Sequence, residues 1–151
     1  MVKEINDKAE KRQISTKILT DLPEWFGIEQ YVEDYINKSA EMPFFAVYSH
    51  NESIGFAALK KTSDVTAEIY CMGILKAYHN QGYGKRLFDY FETYAKEKGF
   101  KYLQVKTVEQ GRYEEYDQTN RFYQQMGFSE LEVFPILWDE WNPCQVFIKA
   151  I

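Results

Sequence analysis

A glycine-containing junction between a strand pattern and a helix pattern restricts the fold of this chain more than any other feature. The apolar segment 69–74 predicts a strand, and the amphipathic segment from Gly82 to about Lys98 predicts a helix. Between them lies His-Asn-Gln-Gly-Tyr-Gly-Lys, residues 79–85. Glycines at such a junction let backbone N–H groups approach an anion, and the positive end of the helix dipole points at the same place. The junction therefore predicts a diphosphate-binding turn.

The spacing of the two glycines excludes the two commonest nucleotide-binding motifs. A dinucleotide-binding fingerprint requires a third glycine at a position that is Leu87 in this chain. A P-loop requires Gly-Lys-Ser/Thr after four intervening residues, and no segment of the chain has this sequence. Lys85 and Arg86 add two positive charges to the start of the helix, which strengthens the expectation of an anionic ligand.

The composition predicts a single globular domain, residues 1–151. An apolar content of 45% with 17% aromatic residues suits a packed core, and the chain has no repeat, linker or low-complexity segment. No apolar run approaches the length of a membrane span, and the N-terminus lacks a signal-peptide core. We therefore expect a cytoplasmic protein that is not associated with a membrane.

Charge and the metal-binding residue types narrow the range of partners. The net charge of −5, without a basic stripe, argues against nucleic acid as a partner. Cys71 and Cys144 are too few for a disulfide framework, and Cys71 is expected to be a reduced, packed thiol. His50 and His79 have no partners at the spacing of metal ligands, so no metal is predicted.

Hydrophobic periodicity predicts four helices and six strands. The expected helices cover approximately residues 8–20, 28–38, 82–98 and 115–126, and the expected strands cover approximately residues 44–48, 53–60, 66–74, 102–108, 130–134 and 145–149. The third of these strands is apolar on both faces, as a central strand would be. The order of elements predicts an α/β (α+β) fold with a mixed, mostly antiparallel sheet of six to seven strands and about four helices.

With these elements, the chain resembles the GNAT superfamily of acyl-coenzyme A-dependent N-acetyltransferases. The first shared motif is the Gln/Arg-x-x-Gly-x-Gly/Ala turn, here residues 79–84, in which His79 replaces the usual Gln or Arg. The second is a helix ending in Tyr-x-x-x-Gly-Phe, here residues 123–128, although Tyr116 stands where many members have Asn. A narrower likeness is Ala67-Glu68-Ile69, at the spacing of the catalytic glutamate in the histone acetyltransferase branch.

The resemblance implies acetyl-CoA as the cosubstrate, bound by the strand and the turn that carry these motifs. Its pyrophosphate is expected on the backbone amides of residues 81–85, and its pantetheine arm beside the end of the strand. Gly73 is expected to help this strand diverge from its parallel neighbour, and the Ile74 N–H to stabilise the developing oxyanion. The predicted cofactor-binding residues are Met72, Gly73, Ile74, His79, Asn80, Gln81, Gly82, Tyr83, Gly84, Lys85 and Arg86.

Two side chains are candidates for the chemistry of acetyl transfer. An alkylammonium, with a pKa of about 10.4, must lose a proton before it attacks. Glu68 is the candidate base, acting directly or through water, because a largely apolar strand raises the pKa of a carboxylate toward the range in which a base works. Ordered water alone is the alternative base. Tyr123 is the candidate acid for the coenzyme A thiolate. The structural alternatives are a solvated glutamate and an aromatic ring that packs the helix onto the sheet.

The resemblance also implies an acceptor site between the first two helices and the last hairpin. The candidate contacts there are Trp25, Phe26, Trp138 and Asp139, because aromatic rings and carboxylates together suit an alkylammonium. The favoured acceptor is the primary amine of a small cationic molecule, acetylated by direct attack without a covalent enzyme intermediate. Acetylation of a protein or peptide amine and a non-catalytic acyl-CoA sensor are the alternatives, and a homodimer would pair through the last strands.

Overall fold

Seven strands and four helices form the computed structural model, which describes all of residues 1–151. The strands are β1 Val2–Ile5, β2 Phe44–Ser49, β3 Glu52–Lys61, β4 Thr66–Ile74, β5 Tyr102–Val108, β6 Ser129–Phe134 and β7 Cys144–Ala150. The helices are α1 Lys8–Thr20, α2 Glu29–Ser39, α3 Tyr83–Glu97 and α4 Glu114–Gln125. The predicted fold class is confirmed, and every predicted helix and strand is present.

The strands form one sheet in the order β1-β2-β3-β4-β5-β7-β6. Only β4 and β5 pair in parallel, and the other neighbours are antiparallel. Strand β1 was not predicted; its residues Lys3 and Glu4 are exposed, and Ile5 is its one buried residue. Such a short and polar segment has no clear period, and it becomes a strand because it pairs with the edge of β2.

Two apolar clusters cover the two faces of the sheet. On one face α1 packs through Ile14, Ile18 and Leu19 against strand residues that include Phe44 and Phe56. On the opposite face lies the cluster formed by Phe45, Val47, Ile54, Ala57, Leu59, Ala67, Ile69, Leu87, Phe88, Phe91, Ala95, Leu103, Val105, Tyr123, Phe128 and Phe147. Helices α3 and α4 contribute to this second cluster, so the helices that carry the two motifs lie on the same face of the sheet.

The two central strands, β4 and β5, pair with each other only at their first three residues. β4 and β5 are in register over Thr66–Glu68, opposite Tyr102–Gln104, and beyond Glu68 they are no longer paired. A β-bulge follows in β4, because Leu59 is opposite Ile69 whereas Ala58 is opposite Cys71, which leaves Tyr70 as an extra residue. The sheet therefore has an opening at its centre, bordered by the second half of β4.

The predicted role of Gly73 needs correction. The strands already diverge several residues before Gly73, so this glycine does not initiate their separation. A Cβ at this position would lie 3.0 Å from side-chain carbons of both Ile18 and Leu22. The absence of a side chain instead allows α1 to pack closely against β4.

The structure also bears on the remaining expectations from composition. Cys71 and Cys144 are both free and buried, which confirms the prediction of a packed, reduced thiol in β4. None of the helices combines the length and the apolar character that crossing a membrane requires.

Candidate active site

A cavity of about 480 Å³ occupies the opening between the diverging strands. Its walls come from the second half of β4, the middle of β5, the segment between α1 and α2, the start of α3 and one face of α4. Helix α4 lies against β5 because Asn120 is buried beside that strand, where Thr107 donates to its side chain and Asn120 Nδ2 donates to the Val108 carbonyl at 3.1 Å. The sequence did not predict this role of Asn120, because the family motif has its Asn at the position of Tyr116.

The glycine-containing turn lies at one end of this cavity, and its backbone has the conformation that anion binding requires. Gly82 is the N-cap residue of α3 with φ of 86°, and Asn80 also has a positive φ of 60°. No side chain caps this helix, so the N–H groups of its first turn are free for a ligand. Lys85 Nζ lies 2.8 Å from Asp89 Oδ2 on the exposed side of the same turn.

Gly84 has a different function in the turn. A Cβ at Gly84 would lie 3.1 Å from the ring of Phe122 on α4. The two helices can therefore approach each other closely at the edge of the cavity, which both residues line. Of the predicted cofactor-binding residues, the cavity lining contains Met72, Gly73, Ile74, His79, Asn80, Gly82, Gly84 and Lys85.

Three predicted members of the turn, Gln81, Tyr83 and Arg86, are not part of the cavity lining. Gln81 Nε2 donates to the Ala77 carbonyl at 2.9 Å, and Tyr83 Oη donates to Ser49 Oγ at 3.1 Å. The Arg86 guanidinium lies over the Tyr83 ring, 5.2 Å from its centre. These contacts hold the turn in place, so we expect these side chains to support the anion site through the backbone.

His79 connects the turn to the end of β4. Its Nε2 donates to the Ile74 carbonyl at 2.6 Å, and its ring makes an edge-to-face contact with Trp25 at 5.9 Å between ring centres. Since a carbonyl can only accept, Nε2 of this ring carries a proton. His79 therefore positions the end of β4, where the resemblance predicts that the cosubstrate binds. The sequence alone did not predict this contact.

Tyr123 is the predicted acid, and its side chain reaches the cavity. The residue is only 6% exposed, and burial raises the pKa of its phenol above the usual value near 10. No side chain or carbonyl of the protein is hydrogen-bonded to its hydroxyl, whereas the other cavity phenol on α4, that of Tyr116, is bonded. A protonated, unpaired phenol at the cavity surface is suited to donate a hydrogen bond to a ligand.

Glu68, the predicted base, does not line the cavity. It is 5% exposed at the last position of β4 that pairs with β5, where its Oε1 accepts from Gln104 Nε2 at 2.8 Å and lies 3.2 Å from Lys106 Nζ. The part of β4 that lines the cavity begins at the next residue, Ile69. The Glu68 carboxylate is thus bound by Gln104 and Lys106 within the sheet. A hydrophobic pattern along one strand does not predict such contacts with a neighbouring strand.

The segment between α1 and α2 is hydrogen-bonded to α4 at the border of the cavity. Trp25 Nε1 lies 3.1 Å from both the Glu115 carbonyl and Thr119 Oγ1, and Tyr116 Oη donates to the Trp25 carbonyl at 2.8 Å. Tyr116 therefore has a structural contact in this chain at the position where the family pattern often has Asn. No sequence signal connects these residues, because they are about 90 positions apart in the chain.

Of the four predicted substrate contacts, the structure brings three to the cavity. Trp25, Phe26 and Trp138 line it, whereas Asp139 does not. Asp139 Oδ1 accepts from the backbone N–H groups of Trp141 and Asn142, both at 2.8 Å, and the side chain of Asn142 is the main cause of the lowered pKa of this carboxyl. The prediction for Asp139 is corrected accordingly, because its carboxylate organises the β6–β7 loop.

Burial of Tyr116 leads to a prediction about stability at alkaline pH. Burial raises the pKa of Tyr116 to about 12, compared with about 10 in an unfolded chain. The folded chain therefore retains a proton that the unfolded chain loses, so this contribution to stability is complete below about pH 10 and disappears as the pH rises to about 12. In Tyr116→Phe the free energy of unfolding should fall less steeply over this interval, by up to about 1.4 kcal/mol per pH unit.

Denaturant titrations at several pH values between about 9 and 12 measure this slope. Below about pH 10, loss of the hydrogen bond to Trp25 should also lower the stability of the variant by about 1 kcal/mol, an offset that is separate from the change in slope at higher pH. Parallel curves for the two proteins would contradict the prediction.

Comparison with known proteins agrees with this fold. A protein-family model described as "Acetyltransferase (GNAT) family" matches residues 9–128, which are most of the chain. This protein therefore belongs to the GNAT family of acetyltransferases. The resemblance that the two motifs predicted is thus confirmed. No curated protein sequence matches the chain significantly.

Solved structures with low sequence identity have the same fold. Ard1 from Thermoplasma volcanium is 15% identical with a TM-score of 0.80, over 100% of this chain and 97% of that one. Aminoglycoside 6'-N-acetyltransferase from Enterococcus faecium is 18% identical with a TM-score of 0.74, over 99% and 96%. A GNAT family acetyltransferase from Elizabethkingia anophelis with acetyl-CoA bound is 18% identical with a TM-score of 0.70, over 90% of each chain. At these identities the similarity establishes the fold alone.

Proposed function

We propose that this acetyltransferase transfers the acetyl group of acetyl-CoA to a primary amine by direct attack of the amine nitrogen. The observation that carries the proposal is the arrangement of one cavity. It has an uncapped helix N-terminus at Gly82, an open strand edge in the second half of β4, and the unpaired phenol of Tyr123. These three features are respectively suited to a phosphate, an amide-containing chain and a leaving thiolate.

The residues of the cavity fit acetyl-CoA. The first-turn amides of α3 together with Lys85 would hold its pyrophosphate, and the edge of β4 from Met72 to Ile74 that is not paired with β5 would hold its pantetheine arm. When bound, acetyl-CoA supplies an acyl group on a good leaving group. The acetyl-CoA in the Elizabethkingia anophelis structure supports the choice of this cosubstrate.

The atoms balance without a covalent enzyme intermediate. An ammonium first loses one proton to water. A C–N bond then forms as the C–S bond breaks, the nitrogen loses a second proton, the thiolate sulfur takes up one proton, and water returns a proton to the side chain that supplied it. Tyr123 is the proposed donor to that sulfur, because its buried phenol remains protonated at neutral pH and has no competing partner. The Ile74 N–H is the proposed donor to the developing oxyanion, and His79 holds the same residue through its carbonyl.

The proton of the amine is proposed to leave through water. Glu68 is the alternative base, but its carboxylate is buried beside Gln104 and Lys106. The cavity is open to solvent at the residues that surround its mouth, including Trp138, which is 44% exposed. Water can therefore accept the proton before the amine attacks.

A charge-removing substitution tests this choice. In Glu68→Gln the side chain can keep its contact with Gln104 while losing the ion pair with Lys106, and we expect kcat/KM to change less than about threefold at pH 7 to 9. Loss of a true general base would lower the rate by a factor of about 100 or more. A fall of that size, with the apparent affinity for acetyl-CoA unchanged, would restore Glu68 as the base.

Release of thiol from acetyl-CoA, followed across a panel of primary amines, tests the proposed function itself. The panel should include aromatic monoamines, polyamines, aminoglycosides and a peptide with a free amino terminus. Amine-dependent release, with the acetylated product identified by mass spectrometry, is the expected result. Tight binding of coenzyme A with no release for any amine would favour the sensor alternative.

A small molecule is favoured over a protein as the acceptor. The hydrogen bonds that join Trp25 to Glu115 and Tyr116 to Trp25 connect the two elements that border the acceptor end of the cavity. This connection narrows the approach that an extended peptide would need. The likeness of Ala67-Glu68-Ile69 to the histone acetyltransferase branch carries little weight, since Glu68 is held within the sheet.

A further inference from the structure

The charges around the cavity are unsuited to an acceptor with several positive groups. No Asp or Glu side chain is among the residues that line it, whereas Lys85 and Lys106 are, each paired with a carboxylate outside the lining. The carboxylates whose charges act on the phenols of this cavity, Asp34, Glu68 and Glu115, lie outside the lining. A polyamine or an aminoglycoside would have to bury several ammonium groups here without a carboxylate to pair with them, which is costly.

The wall that faces the acceptor end is instead made of aromatic rings. Phe26 makes an edge-to-face contact with Tyr35 at 5.7 Å between ring centres, and Tyr35 is 5.4 Å from Tyr70. Trp25 and Tyr116 line the same cavity, and the Tyr116 hydroxyl donates a hydrogen bond to the Trp25 carbonyl. We call these five residues the aromatic wall. Such a surface favours a flat apolar group, because ring contacts in edge-to-face and offset arrangements add to the gain from burial.

The aromatic wall is uncharged and adjoins the proposed acid. Burial raises the pKa of Tyr70 and of Tyr116 to about 12, so both phenols are neutral at physiological pH. Tyr116 of the wall and Tyr123 lie seven residues, about two turns, apart on α4, and both line the cavity. A ring bound on the wall would therefore be near the place where Tyr123 meets the leaving sulfur.

We infer, resting on the proposed acetyltransferase function, that the acceptor is an aromatic monoamine: one primary amino group on a short link to an aromatic ring. The ring is held by the aromatic wall and by Trp138, and the amino group extends toward Tyr123. The cavity of about 480 Å³ must also contain the pantetheine arm, which limits the acceptor to a small molecule. A single amino group reacts after losing its proton, so no lining carboxylate is needed to hold it.

Calorimetric titration of the complex with saturating coenzyme A tests this inference without relying on turnover. The probes are 2-phenylethylamine and spermidine. We expect 2-phenylethylamine to bind at least about tenfold more tightly than spermidine. Equal or tighter binding of spermidine, or no measurable binding of 2-phenylethylamine, would overturn the inference.

Two tryptophans of the same loop provide a matched pair of variants. Trp138 lines the cavity, whereas Trp141 is 71% exposed and does not. Trp138→Ala should weaken 2-phenylethylamine binding about tenfold and leave coenzyme A affinity within about twofold, whereas Trp141→Ala should change neither. A loss of coenzyme A affinity in Trp138→Ala, or equal effects of both substitutions on the amine, would contradict the assignment of this wall.

The same experiment separates the inference from the proposed function. If 2-phenylethylamine binds in the expected pattern but thiol release fails with every amine, the aromatic site stands and the acetyltransferase proposal fails. If spermidine supports faster release than 2-phenylethylamine, the enzyme stands and the inferred acceptor class is wrong. Phe26→Ala gives a second test within the wall, with circular dichroism as the check that the chain remains folded.

Discussion

Replacing Tyr123 with phenylalanine should lower kcat about 100-fold while leaving KM for acetyl-CoA within about twofold. The substitution removes one oxygen and keeps the ring, which packs in the cluster on the α3 face of the sheet. Because the hydroxyl has no partner within the protein, its loss leaves no protein group unsatisfied, and stability should change little. The expected loss is therefore confined to the step in which the thiolate leaves.

The matched control is Tyr116→Phe. Tyr116 lines the same cavity and also has a raised pKa, but its hydroxyl donates to the Trp25 carbonyl and is not available to the leaving sulfur. We expect its kcat to remain within about fivefold of the parent value. Thiol release measured for both variants at saturating acetyl-CoA decides the matter. Equal effects of the two substitutions would show that Tyr123 is needed for packing and not as an acid.

Replacing Gly82 with valine should weaken coenzyme A binding about thirtyfold. Gly82 has φ of 86°, a conformation that costs an L-residue about 1–2 kcal/mol and a β-branched residue more. Nothing lies within 4 Å of a Cβ at this position, so the cost is conformational and not steric. The variant is expected to relieve the strain by rotating the turn, which would direct the first-turn amides of α3 away from the pyrophosphate; a loss of about 2 kcal/mol corresponds to roughly thirtyfold in affinity.

Gly99 provides the control for this substitution. It has φ of 91°, also has open space around its Cβ position, and follows α3 at the opposite end of the helix. Gly99→Val should therefore lower the free energy of unfolding by a similar amount and leave coenzyme A affinity unchanged. Calorimetric titration of both variants, with denaturant unfolding as the companion measurement, compares the two sites. If Gly82→Val binds coenzyme A like the parent, the turn is not the phosphate site.

Local sequence patterns were sufficient for the architecture in the centre of the chain. The strands at residues 66–74 and 102–108 have their predicted bounds. Each is an apolar segment with the periodicity of a strand that ends at a glycine or a charged residue, so few other secondary structures fit it. The short polar strand Val2–Ile5 was not predicted, because its structure depends on a partner strand about 40 residues away in the chain. The turn at Gly82 was predictable for the same local reason, since a glycine-containing strand-to-helix junction has a restricted geometry.

The side chains of the site were predicted less completely. Tyr123 and Trp25 reach the cavity as expected, but Glu68 and Asp139 do not. Each of these carboxylates is held by other groups of the protein: Lys106 and Gln104 for Glu68, and the loop backbone for Asp139. A sequence identifies which residues are able to act as bases, but their partners are fixed by tertiary contacts.

The sequence by itself determined the class of this protein, because the turn, the helix that follows it and the order of strands are properties of neighbouring residues. Only the tertiary structure decided what the cavity is made of. It joined Trp25 to Tyr116, placed His79 against the Ile74 carbonyl, and left the lining without a carboxylate. The physical reason is that these contacts connect segments distant in the chain, and their geometry follows from the divergence of β4 and β5.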